Sequence, residues 1–174
     1  MESEVSSDIF IKRQQFDYKE SHSLVFTLDA KLDDGEALTK VYTDFIDYKC
    51  SSSDEDMPAP SEDIQKDYEP QNSFFGKDTA NRFPKPKVAN ENIYHVHVFD
   101  GSRSWNIWEA KEQFYRVCDT LLFYSSFLKS NTRYFHILDF LYNPDGDNKS
   151  HQKMKDDIYM QALADRAELY RKSI

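Results

Sequence analysis

Two apolar runs followed by one long amphipathic stretch constrain this chain most. Residues 120–128 (TLLFYSSFL) and 134–142 (YFHILDFLY) are rich in large apolar and aromatic side chains and are joined by a short polar stretch, so they read as paired strands. After a loop at 143–148 (NPDGDN), a helical pattern runs from Ser150 to about Arg171, with Met154, Ile158, Leu163, Ala167 and Tyr170 near one face. A hairpin that leads into such a helix must lay the helix's apolar side across the sheet. The predicted class is therefore α+β: a small antiparallel sheet with helices packed on it and a closing C-terminal helix.

The rest of the chain supplies further strands and one more helix. Residues 9–16 (IFIKRQQF) and 23–28 (SLVFTL) read as strands, and Gly35 breaks the chain before a helix over 36–49. Leu38, Val41, Tyr42, Phe45 and Ile46 recur on one face of that helix, and Lys49 suits its last turn. Residues 50–70 are rich in Ser, Asp, Glu and Pro and read as an acidic loop, a candidate disordered segment. Residues 74–83 (FFGKDTANRF) look turn-like. Residues 93–99 (IYHVHVF) form the clearest strand, with Ile93, His95, His97 and Phe99 on one face and Tyr94, Val96 and Val98 on the other. Residues 105–116 fit either a short helix or a wandering connection. One domain is expected overall: N-terminal strands and helix (1–49), acidic loop (50–70), then sheet and closing helix (71–174).

Charge is unevenly placed. The net of −9 divides into −5 over residues 1–49, −6 over 50–69 and +2 over 70–174. The acidity sits in the first lobe and the loop; the part with the chemistry-bearing residues is mildly basic, which weakens the objection to an RNA substrate without removing it. Cys50 and Cys118, the only two cysteines, fit reduced thiols of a cytoplasmic protein better than a disulfide scaffold. The first residues lack a basic and apolar leader pattern, and no apolar run has the length of a membrane span.

Taken in order, several segments resemble the YafO family of bacterial toxins: DFIDYK (44–49), FFGKD (74–78), YHVHV (94–98), DTLLFY (119–124) and the helix at 151–171, above all MQALADRAELYR (160–171). The resemblance implies a RelE-like fold and a ribosome-dependent mRNA interferase of a toxin–antitoxin system. Its implied partners are a cognate antitoxin, the ribosome and mRNA, with no membrane. The chain departs from that pattern in its longer N-terminus, in the acidic loop, and in a longer segment between Pro144 and His151. A rival from another class is a non-enzymatic acidic binding protein on the same scaffold, an inhibitor or phage-encoded modulator.

RNA cleavage on such a fold needs a group to activate the ribose 2′-OH, a cation for the phosphate and a proton for the leaving oxygen. His, Lys, Arg and Tyr cover these roles without metal or cofactor. His151, beside Lys149, Lys153 and Lys155, is the leading acid/base candidate, and Lys155, four residues on, is its expected phosphate partner. A surface polar residue at a helix start is the competing explanation. His97 joins the candidate catalytic set. His95 and His97 share a face that could hold a metal, but no third and fourth ligands are apparent, so none is assigned. His136 reads as structural. Arg103, Tyr124, Tyr170 and Arg171 are the candidate RNA-binding residues, although a tyrosine at a core edge or a helix arginine in an ion pair is the commoner case. An alternative site lies at the helix C-terminus, built from Tyr170 and Arg171 with His151 a bystander.

Overall fold

The computed structural model describes residues 9–11, 22–32, 35–67 and 73–174. Its centre is a six-stranded sheet in the order β1-β2-β6-β5-β4-β3. The strands are β1 (Ile9–Ile11), β2 (Ser23–Leu28), β3 (Phe75–Ala80), β4 (Ile93–Val98), β5 (Leu121–Lys129) and β6 (Thr132–Leu141). Neighbours pair antiparallel except β2 and β6, which run parallel from Ser23↔Thr132 to Leu28↔Ile137. The hairpin β5–β6 turns at Ser130 and Asn131, both in left-handed backbone (φ 48° and 59°), as a tight turn of this hand requires. Of the first expected strand, residues 9–11 are strand and 12–16 lie outside the described residues.

Each face of the sheet carries its own core. On one side α1 (Glu36–Ser51) lays Val41, Phe45 and Tyr48 against Leu24, Phe26, Phe75, Val96, Val98, Leu122, Tyr124, Phe135 and Ile137. On the other side α6 (Asp157–Ser173) packs Met160, Leu163, Ala164 and Ala167 on Ile93, Leu121, Phe123 and Leu138. The expected alternation of β4 is borne out, with Ile93 in one core and Val96 and Val98 in the other. Burying a large apolar side chain contributes roughly 1.5–3 kcal/mol, so the two faces together hold the sheet between its helices.

Two expectations are corrected. Residues 50–67 are not a bare loop: α1 continues to Ser51, a 3-10 turn spans Asp54–Asp56, and α2 covers Glu62–Asp67. This segment packs Cys50 and Met57 against the core and is held by polar contacts as well. The buried Gln65 amide donates to the carbonyls of Pro60 (2.7 Å) and Asp78 (2.8 Å), and its oxygen accepts from Asp78 N–H (3.0 Å). The closing helix is also two helices, α5 (Lys149–Met154) and α6. Asp156 is extended (ψ 112°) and its side chain accepts from the N–H groups of Ile158 and Tyr159, so it caps a new helix rather than continuing the old one. Between β3 and β5 the chain forms α3 (Lys87–Asn90), α4 (Trp105–Glu109) and a 3-10 turn at Gln113–Tyr115, which resolves the ambiguous stretch after the β4 turn.

Candidate functional site

The residue that organises the candidate site is Asp119, just before β5 and nine-tenths buried. Four donors converge on its carboxylate. Oδ1 accepts from His151 N–H (3.1 Å) and His151 Nδ1 (2.5 Å). Oδ2 accepts from Ser150 N–H (3.1 Å) and from the Asn143 side-chain amide. Burial acts to raise this carboxyl, but the hydrogen bonds from His151, Ser150 and Asn143 outweigh it and hold its pKa below the ordinary value. Asp119 therefore ties the end of β6 to the start of α5 and fixes the His151 ring.

His151 lies at the edge of an open cleft of about 360 Å³, lined also by Ser102, Arg103, Val117, Cys118, Asp119, Pro144, Asp145, Gly146 and Asn148. Its side chain is 27% exposed. Arg103, exposed in the turn after β4, lines the same cleft. Behind His151 stands His97, ring centres 5.3 Å apart, and behind that His95, a further 5.6 Å on. Burial pushes the imidazoles of His97 and His95 down to about 4 and about 3, so both are neutral near pH 7. The Nδ1 of His97 lies 2.8 Å from the Cys118 carbonyl, and that of His95 lies 2.9 Å from Asn81 Oδ1. His97 is 3% exposed and lies buried behind the His151 ring. Among the described residues no group of three His, Cys, Asp or Glu side chains is arranged to hold a metal ion.

The sequence-derived candidates thus separate. His151 and Arg103 line the cleft, and His97 packs behind His151. Lys155 does not join them by a hydrogen bond: it is the exposed C-cap of α5, at the break before α6. Tyr124 is fully buried on the other face of the sheet and cannot stack on a base. Tyr170 packs flat on the buried His136, ring centres 3.9 Å apart at 7°. Arg171 makes a two-pronged ion pair with Glu91 at 2.8 and 2.9 Å, far along α6 from the cleft. The alternative site at the helix C-terminus is therefore a packing contact. His136 is structural, held by Thr27 Oγ1 (2.6 Å) and Asp29 Oδ2 (3.1 Å). Cys50 and Cys118 are not joined in a disulfide.

Sequence reasoning missed Asp119 and a second polar centre under α1. There the Lys49 ammonium, with no exposed surface, donates to Asp78 Oδ2 (2.6 Å), the Pro58 carbonyl (2.7 Å) and Tyr124 Oη (3.1 Å). Tyr48 and Tyr124 donate to the same carboxylate at 3.0 and 2.7 Å. Burial, reinforced by the Asp78 charge, drives both phenols well above their ordinary range, so they remain donors. Lys49, Asp78 and Tyr124 are the last residues of DFIDYK, FFGKD and DTLLFY; three separated motifs meet at one buried point.

A family model described as "Toxin YafO, type II toxin-antitoxin system" matches residues 48–172, from the end of α1 through α6. The chain belongs to the YafO toxin family. It is thus a toxin of the type II toxin–antitoxin class, and membership implies a cognate antitoxin as partner. The match spans Asp78, Asp119, Tyr124 and His151, hence the whole cleft. No curated protein and no solved structure matches the chain. Among the described residues no helix is long and apolar enough to cross a membrane.

Proposed function

We propose that this toxin is an endoribonuclease that cleaves mRNA on the ribosome, with His151 as its acid/base group. The observation that carries this reading is that one cleft is lined by both a partly exposed histidine, His151, and an exposed arginine, Arg103. His151 Nε2 takes the proton of the ribose 2′-OH, and the 2′-oxygen forms a bond to phosphorus. The bond from phosphorus to the 5′-oxygen breaks, and that oxygen takes a proton from water. Arg103 offsets the charge that builds on the phosphate oxygens. His97 supports the His151 ring from behind and does not itself reach the cleft surface.

Induced expression should arrest growth, and mRNA on purified ribosomes should be cut. His151→Ala should lower cleavage by about 10²–10⁴-fold. Arg103→Ala should lower it less, and Lys155→Ala should leave it unchanged. Full cleavage by His151→Ala would remove the assignment. Absence of cleavage by the unmodified protein would favour the acidic binding protein, a reading helped by the burial of His95 and His97 and the neutralisation of Arg171 by Glu91.

A further inference from the structure

We propose that Asp119 is a positioning residue that selects the working nitrogen of His151; its catalytic part rests on the endoribonuclease reading, while the tautomer it fixes does not. The four groups that reach the Asp119 carboxylate are two backbone N–H groups, the Asn143 amide and His151 Nδ1. The backbone groups can only donate, and an ionised carboxylate can only accept. His151 Nδ1 therefore carries a proton. In the neutral ring Nε2 is then left with its lone pair, and that ring needs no rearrangement before it takes a proton from a substrate hydroxyl. When it does so, the imidazolium forms against a buried anion already in place, as the preorganised-charge argument requires.

A second carboxylate–histidine pair in the molecule gives the contrast. His136 also meets a carboxylate, Asp29, but its other nitrogen is spent on Thr27 Oγ1, and the ring is 4% exposed under Tyr170. That pair has no free nitrogen and no cleft. His151 has one nitrogen committed to Asp119 and lines open space. The same hydrogen-bonding chemistry is structural at one site and poised at the other.

The positioning role separates from a merely structural one in two measurements. Long-range proton–nitrogen NMR on the uniformly ¹⁵N-labelled protein above pH 7.5 reads the tautomer directly. The proposal expects His151 Nδ1 protonated and Nε2 unprotonated; an Nε2–H tautomer overturns it, whether or not the protein cleaves RNA. On ribosomes, Asp119→Asn should lower kcat by up to about 10⁴-fold, and by no more than His151→Ala does, with KM little changed, as when a carboxylate partner is lost from a hydrolase histidine. Asn offers one acceptor oxygen where two are used, so folding is checked by circular dichroism alongside. The decisive arm is His151→Ala with and without Asp119→Asn: a residue that acts only through His151 adds nothing once His151 is gone. A further drop of tenfold or more in the double variant, with the fold intact, would show an independent role and overturn the proposal.

Discussion

Replacing Asp78 by Asn tests the account of the buried centre under α1. The Lys49 ammonium has no exposed surface and spends its three protons on Asp78, Pro58 O and Tyr124 Oη, within 4.2 Å of the Tyr48 ring centre. Asp78→Asn is nearly the same size, so it opens no cavity; it removes only the countercharge and leaves a buried cation with neutral acceptors. Breaking such a pair from one side costs about 3–5 kcal/mol. For a domain of this length, each kcal/mol moves the thermal midpoint by about 2–4 °C, so Tm should fall by roughly 6–20 °C. Urea unfolding should show the loss as a lower midpoint at unchanged slope. Lys49→Met should cost a similar amount by stranding the carboxylate. The double variant Lys49→Met/Asp78→Asn strands neither charge and should cost no more than the worse single variant. A loss under about 1 kcal/mol for Asp78→Asn, or costs that simply add in the double variant, would refute the claim that the two charges are buried for each other.

Acid should destabilise this protein early. His95 and His97 stay neutral in the fold down to about 3 and about 4, but in the unfolded chain they take protons below 6.5. The unfolded state therefore binds more protons between about pH 6.5 and 4, and stability falls with pH through that window, by about 4 kcal/mol in all from pH 7 to pH 5. Urea midpoints across that range check it; His97→Gln should remove about half of the slope, and flat stability would contradict the burial argument. Gln65→Ala should cost about 2 kcal/mol or more in the same assay, because it strands buried backbone groups of Asp78 and Pro60; no change would mean that residues 50–67 are the solvated loop their composition suggests. Arg171→Ala should loosen the end of α6, read as faster amide exchange at residues 168–173, while cleavage stays at the wild-type rate.

The faces of the sheet were legible because period-2 alternation at 93–98 and helical spacing at 36–49 are local patterns. Local pattern also placed His151, His97 and Arg103 near the ends of elements that meet. What failed depended on partners distant in sequence. Tyr124 looks like any strand aromatic until Asp78, 46 residues earlier, accepts a hydrogen bond from its hydroxyl. Arg171 looks like a free helix cation until Glu91 faces it across 80 residues. The helix break failed for another reason: Lys155-Asp156-Asp157 is compatible with a helix interior, and only the backbone at Asp156 reveals its side chain as a cap. Asp119 carried one overlooked signal, an acid set directly before the apolar run of β5.

The Asp119 carboxylate grips the chain on both sides of the segment between Asn143 and Ser150, and that segment supplies Pro144, Asp145, Gly146 and Asn148 to one side of the cleft. With both ends clamped at one point, the intervening residues form a closed bow whose length is decoupled from the ring it stands beside. Doubling such a bow costs only about 0.6 kcal/mol in closure entropy. Insertions there can reshape what the cleft admits without disturbing His151. The longer stretch between Pro144 and His151 in this chain then leaves the clamp on His151 intact, and that interval is where chain length can change at least cost.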